Sequence, residues 1–503
     1  MVVSDVADMF VPLLDGFLVN VNESQAVITS LLDAIPEMFA DTRETETVFA
    51  PGWDAAECAG KLILFHSPCP CRGPGKLKTR DNSKLINTDK KAVSASYRYL
   101  SDSGQRICGL RCCVDLFFPN QYVDVITLSL VPQLTGGHAC FQVENDQGRF
   151  LGDLHRDVEK VVGFDAVMRV QTSTGIRAVD FIGAFYTYNT TDVELAGLDR
   201  DKAVMEFKHN DQLNEERGAL LQCALLYTSC AGQYHFRIHN QPLNHCIQAD
   251  LYRNCETDKF INYMAKFSYR AVLSPVKTVR DSLITQCAQI LACYRKYHAG
   301  SSAGQFILPE CMKLLPVYLN CVLKNDVLQP GAEVPTTEDY VFQLVSSKHV
   351  TETNVFFYLW FLPLMKSPLD STTEALAVQA SKELFSSGDI CICWTMGSTS
   401  LSWWEQAFNR YYPEPFQYLL PQITSDLSVL PVLDDPLSKK VRGLIDSLQA
   451  QRMRYMKLIS VKQEEELEML FKHFPVEAKS LSGGAAYVDF LCHMLKEIGQ
   501  LLS

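Results

Sequence analysis

The apolar period changes four times along this chain, and each change demands a different kind of packed layer. Over the first 150 or so residues, apolar runs alternate with helical stretches. Val27, Ile28, Leu31, Leu32 and Ile35 share one helix face, and Ser24 stands where an N-cap would. Lys61-Leu62-Ile63-Leu64-Phe65 and Val114-Asp115-Leu116-Phe117-Phe118 suit buried strands. Strand–helix–strand order implies an open α/β sheet. Between those runs, Ser67 to Arg106 is rich in Lys, Pro, Ser and Gly and reads as a long loop.

From about Phe164 to Asn244 the pattern becomes one of short strands. Val167–Gln171, Val204–Phe207, Leu220–Tyr227 and Tyr234–Ile238 are strand-like. Turn clusters separate them: Ser173-Thr174-Gly175, Asn189-Thr190-Thr191-Asp192 and Ala231-Gly232-Gln233. This spacing predicts an antiparallel sandwich. After Asp250 the period is helical. Val276, Val279, Leu283, Cys287, Ile290, Leu291 and Tyr294 fall on one face, with Arg280 and Gln289 elsewhere. Pro309 suits the start of a helix over Glu310–Leu323. Around Val350 mixed strands and turns return. The chain closes on an amphipathic helix carrying Tyr487, Phe490, Leu491, Met494, Leu495, Ile498, Leu501 and Leu502.

A chain of 503 residues with these transitions predicts three or four domains. The longest apolar run, Val355 to Met365, contains Pro363 and is too short to span a bilayer, which needs about 20 residues. Asp5 and Asp8 stand where a secretory signal would carry Lys or Arg, so none is expected. Eighteen scattered cysteines include no C-x-x-C, and reduced, buried thiols are the expected state. The sequons at Asn22 and Asn189 would then go unused.

The net charge of −12 argues against nucleic acid as a partner. It hides a local balance of +8 between Lys61 and Arg111, which leaves −20 for the remainder. That basic stretch could meet an anionic membrane surface or simply be a solvated loop.

Signatures of catalysis are missing. Gly73-Pro74-Gly75-Lys76-Leu77 lacks the hydroxyl of a phosphate loop, and Pro74 removes a backbone donor. His235 and His239 stand four apart, but on a strand-like run that would not bring them to one metal. Glu464-Glu465-Glu466 reads as a solvated helix turn, and His493 as a surface or interface residue. Trp394, Trp403 and Trp404 read as core of a small domain, with a binding anchor as the alternative. No enzyme is expected, and no cofactor.

Several blocks nevertheless resemble one family in its own order. They are Phe10-Val11-Pro12-Leu13-Leu14-Asp15-Gly16-Phe17, Gln121-Tyr122-Val123-Asp124-Val125 with Val131–Gly137, and Gly163–Val170 with Ser173-Thr174-Gly175. Leu251–Asp258, Leu308–Tyr318 and Gly484–Leu491 complete the set. Together they are similar to the cargo-adaptor subunit of the COPII vesicle coat (Sec-twenty-four family), in its C/D-like branch.

The resemblance implies a multidomain α+β fold. A partial α/β (von Willebrand A-like) trunk would occupy 1–160, a β-sandwich 161–247, an all-helical domain 248–348 and a gelsolin-like α/β domain 349–475. A last helix, 476–503, would return to the helical domain. The family's zinc ribbon would precede the trunk and has no counterpart here, so no zinc is expected.

The implied function is binding export signals of membrane cargo for endoplasmic reticulum to Golgi transport. The implied partners are a GTPase-activating sister subunit, a Sar-type small GTPase through it, cytosolic tails of cargo and SNAREs, and the anionic membrane surface. The chain would work in the cytoplasm, peripheral on the endoplasmic reticulum membrane and on coated vesicles. An assembly-defective fragment is the alternative, and an actin-binding gelsolin-like protein a weaker one. The family's Met-Arg-x-Arg segment contacts export signals. Its first arginine maps onto Arg169, and its second position is Gln171 here.

Overall fold

The computed structural model describes residues 19–43, 46–49, 60–67, 69–77, 95–118, 123–141, 147–187, 192–199, 204–209, 218–243, 248–270, 276–298, 307–324, 328, 350–357, 439, 443, 486–502 and the five strands between 360 and 462 given below. The first helix, α1 (Gln25–Phe39), follows Ser24, but that side chain makes no capping bond. None of its residues is buried, and Val27, Leu31 and Leu32 are more than half exposed. The helix forms where the sequence places it, and its apolar face lies uncovered by the described residues. A helical period reports an apolar stripe but does not say what covers it.

Three parallel strands form the first sheet: β1 (Gly60–Phe65), β2 (Cys112–Phe118) and β3 (Ala139–Phe141), in that order. All seven residues of β2 are buried, as a central parallel strand requires. Helix α2 (Ala95–Gly109) makes the crossover from β1 to β2. It corrects the long loop expected up to Arg106. Leu100 and Ile107, seven apart on one face, are buried against Val114, Leu116 and Phe118 of β2. Two short helices, α3 (Val125–Leu128) and α4 (Leu130–Thr135), lead to β3, and α5 (Gln147–Glu159) follows it.

Gly136 closes α4 with φ +78°, the left-handed conformation that favours glycine at a helix end. A Cβ on the next residue, Gly137, would fall 1.9 Å from the carbonyl oxygen of Val114. That obstacle is backbone of the central strand and cannot swing aside. Gly137→Ala is expected to lower stability by about 1–3 kcal/mol, the range for an overpacked core. The check is the thermal midpoint beside that of Gly499→Ala, where the added Cβ meets nothing within 4 Å.

The second region is a sandwich of unequal sheets. Its strands are β4 (Gly163–Thr172), β5 (Ile176–Ile182), β6 (Tyr186–Thr187), β7 (Asp192–Leu198), β8 (Val204–His209), β9 (Ala219–Ser229) and β10 (Tyr234–Leu243). Five pair antiparallel in the order β10-β9-β4-β7-β6, and β5 pairs with β8. The turn at Ser173-Thr174-Gly175 carries the chain from one sheet to the other. Met168, Val170, Phe181, Val193, Leu195 and Tyr227 form the core between them.

Six helices build the third region: α6 (Gln248–Asn254), α7 (Thr257–Arg270), α8 (Val276–His298), α9 (Leu315–Lys324), α10 (Val350–Phe357) and α11 (Tyr487–Leu502). The α8 stripe is buried at Val279, Leu283, Cys287 and Leu291. Partly buried Arg280, off that stripe, donates from its guanidinium to the carbonyls of Leu323 (2.5 Å) and Leu328 (2.7 Å). Pro309 heads only a 3₁₀ turn, Glu310–Met312, and α9 begins at Leu315. The single helix expected here is broken. Pro316 has no N–H to donate, and its ring would clash with the carbonyl of Met312 in a continuous helix.

Between α10 and α11 lie β11 (Trp360–Pro363), β12 (Val378–Gln379), β13 (Cys391–Trp394), β14 (Thr399–Trp404) and β15 (Lys457–Lys462). They form one sheet, ordered β12-β11-β13-β14-β15, with only β14–β15 parallel. Trp394 lies on β13, and Trp403 and Trp404 on β14; their side-chain packing lies outside what is described. So do Glu464–Glu466, Asn189 and the lysine-rich residues 78–94. His493 is exposed on α11.

Candidate functional site

Strand β4 positions both sequence-predicted site residues. Alternation along it turns Met168 and Val170 into the core and Val167, Arg169 and Gln171 outward. Its neighbours β7 and β9 extend the outer face, and β10 extends it further. Register then sets three cross-strand rows. Val167 stands beside Leu226, and Leu226 beside Phe236. Arg169 stands beside Ala224, and Ala224 beside Ile238. Gln171 stands beside Gln222, and Gln222 beside Asn240, to which its amide donates at 2.8 Å.

The first row is apolar and open to solvent: Val167 is 38% exposed, Leu226 44% and Phe236 64%. Ile238 in the second row is 51% exposed. Single exposed apolar residues are ordinary, but four neighbours on one pleated face suggest a binding surface. The rows repeat every two residues, about 6.8 Å apart. An extended peptide can meet them with side chains at positions i and i+2.

Arg169 does not stand free. It faces Asp192 directly across β4 and β7, and the pair is two-pronged: Nε donates to Oδ1 at 2.6 Å and Nη2 to Oδ2 at 2.9 Å. The hydrogen bond and then the charge of Asp192 raise the pKa of the guanidinium further. Glu194, two residues on, has its carboxyl pushed up by burial, and then by Asp165 and Asp192. Gln171 brings no charge. The sequence reading placed Asp192 in a turn and so missed it. The alternation Asp192-Val193-Glu194-Leu195 is the signal that reveals a strand there.

A second cluster of charge lies in the trunk. Lys61 Nζ reaches Asp115 Oδ2 at 2.5 Å and Asp157 Oδ2 at 2.6 Å, and Lys160 also pairs with Asp157. His138, just before β3, lies 3.0 Å from Asp199 at the end of β7 and so ties the trunk to the sandwich. Asp115 and Asp157 are almost fully enclosed, so the cluster is placed for structure rather than for substrate. His235 stacks on Tyr227 at 5.1 Å. Among the described residues, no group of three or more His, Cys, Asp or Glu is arranged to hold a metal.

Comparison with known proteins follows these boundaries. The Sec23/Sec24 trunk domain matches residues 1–158, the Sec23/Sec24 beta-sandwich domain 163–246 and the Sec23/Sec24 helical domain 256–354. Human protein transport protein Sec24C is 70% identical over all of this chain and 48% of its own length. Human protein transport protein Sec24D is 49% identical over all of this chain and 51% of its own length. The chain thus spans about half the length of these relatives. The crystal structure of the human COPII-coat protein Sec24c superposes with a TM-score of 0.90 at 67% identity, covering all of this chain and 70% of that one.

Proposed function

This chain belongs to the Sec23/Sec24 family, on the branch of Sec24C and Sec24D, and we propose that it is a cargo adaptor of a vesicle coat. It binds export signals in the cytosolic tails of membrane cargo and SNAREs, for transport from endoplasmic reticulum to Golgi. The observation that carries this reading is the exposed three-row face of the sandwich, which offers apolar contacts, one arginine and a ladder of amides at peptide spacing. It is a binding surface, and we assign the chain no catalytic residue and no cofactor.

Assembly with a GTPase-activating sister subunit, and through it with a Sar-type GTPase, belongs to the same reading. Among the described residues no helix is long and apolar enough to cross a membrane. Attachment would be peripheral, on the cytosolic face, with the basic residues that follow Lys61 up to Arg111 as the contact for anionic lipid, Lys61 itself being buried with Asp115 and Asp157.

Titration with two short peptides tests the site. A peptide bearing Ile-x-Met is expected to bind more tightly than one bearing Asp-x-Glu, because the face offers apolar rows and a single, already engaged cation. Gln171→Arg restores a second charge and should strengthen Asp-x-Glu by roughly tenfold, the value of one charge-assisted hydrogen bond. Tighter binding of Asp-x-Glu to the unmodified chain would overturn the assignment. So would an Arg169→Ala variant that leaves both affinities unchanged.

A further inference from the structure

We propose that Asp192 sets the selectivity of this face by occupying Arg169 with its own carboxylate, so that acidic peptides are held off while apolar ones are admitted. The inference rests on the peptide-binding reading above and adds the residue that decides between ligand classes.

Three observations carry it. The first is geometry: a guanidinium offers a carboxylate its best grip through two parallel N–H groups, and Asp192 already takes both from the Nε–Nη2 edge. The second is that Asp192 is fixed. It lies directly opposite Arg169 in the β4–β7 register, and its side chain is only 20% exposed against 56% for the arginine. A residue set by strand pairing returns to its place, whereas one on a loop could swing clear. The third is the surrounding charge. Glu194 follows on the same face of β7, its ionisation disfavoured by burial first and then by Asp165, which is paired with Arg111, and by Asp192. Among the described residues in the three rows, Arg169 is the only base, and Arg237 on β10 lies instead over Tyr227 on the core side.

An arriving carboxylate must therefore displace Asp192 or settle on the remaining guanidinium edge beside a fixed negative charge. Like charges brought this close oppose binding. An apolar side chain lodged along Val167, Leu226 and Phe236 meets neither obstacle. Selectivity arises here by obstructing one class rather than by added attraction for the other.

The test uses the full chain and the same two peptides. Asp192→Asn keeps the size and one acceptor oxygen while removing the charge. It should tighten Asp-x-Glu binding by roughly tenfold and leave Ile-x-Met within about twofold. Asp192→Ala should do the same, and adding Arg169→Ala to Asp192→Asn should erase the gain. The proposal is overturned if neither Asp192 variant gains affinity for Asp-x-Glu, or if both peptides gain equally. Its failure is separable from failure of the reading beneath it. If Ile-x-Met binds but the Asp192 variants leave Asp-x-Glu binding unchanged, only the selectivity role falls. If neither peptide binds any variant, the peptide site itself falls and takes this role with it.

Discussion

Lys61→Met is expected to destabilise the trunk by about 3–5 kcal/mol, the loss that follows when one partner leaves a buried ion pair. The side chains concerned are 10% exposed for Lys61, 1% for Asp115 and 3% for Asp157. The ammonium also donates to the carbonyl oxygen of Asp157 at 2.6 Å. It thus joins β1, β2 and α5 through one group. Burial alone would lower the Lys61 pKa, but Asp115 and Asp157 overrule it and hold the ammonium charged well above its usual range. Methionine fills similar volume, so the loss reads charge rather than packing.

The pH dependence of this cluster has a definite sign. Burial pushes the Asp115 carboxyl up to about 6, with Lys160 and Lys61 opposing and Asp157 adding to the rise. A folded-state pKa raised above the unfolded value, about 4, means this group's contribution is full below pH 4 and is lost as pH rises through 6. Asp157 is also desolvated, but Lys160, Asp115, Lys61 and His138 together hold it well below the usual carboxylate range. Its contribution is full above about pH 4 and fades as pH falls further. In Lys61→Met, Asp115 is left without its closest cation and can escape by taking a proton. The penalty should therefore shrink between pH 7 and pH 5, and Lys61→Met/Asp115→Asn should recover part of it at pH 7. Denaturant titrations at the two pH values measure both effects. A penalty under about 1 kcal/mol, as for an exposed pair, would reject the buried-bridge account.

The period of the apolar residues revealed the fold class, because burial acts on every second or every third to fourth residue whatever the chain does next. It found β4, β8, β9 and β10 of the sandwich at least in part, missed β5 and β7, and found the α8 stripe. It failed where the signal is not periodic. Helix α2 hid inside a polar stretch: among its described residues, Tyr99, Leu100 and Ile107 pack into the trunk core and Cys108 is buried. The break before α9 depended on Pro316, which outweighs the helix-start signal of Pro309.

The candidate site was half legible. Arg169 and Gln171 came from the family resemblance, and their outward direction follows from alternation. The partner Asp192 could not be inferred without the register between β4 and β7, a contact 23 residues apart in sequence. The buried pairing of Lys61 was equally hidden. In the sequence it counts among the basic residues of a surface-like stretch, and only the parallel register of β1 against β2 brings it to Asp115.

Ending the chain at residue 486 should remove cooperative unfolding of the helical region altogether. Helix α11 is separated from α10 by more than a hundred residues, yet it completes the core that α7, α8 and α9 form. Phe490, Met494 and Ile498 are respectively 5%, 0% and 3% exposed within that core, and Tyr487 and Leu502 pack at its margin. Spacings of four place the three buried residues on one stripe, as the sequence pattern required. Met494→Ala alone should cost about 2–5 kcal/mol, the range for a fully buried methionine or leucine. Losing all three anchors exceeds that several times over and reaches the whole stability of an ordinary domain, about 5–15 kcal/mol. The expected result is a graded ladder: Val488→Ala, at a position 67% exposed, near wild type, Met494→Ala still cooperative with a lower midpoint, and the truncated chain with no helical transition. Hydrogen exchange along α8 reads it directly, because Leu283, Cys287 and Leu291 lie in the same cluster. Protection of α8 that survives the truncation would mean that α11 only covers the core and does not complete it.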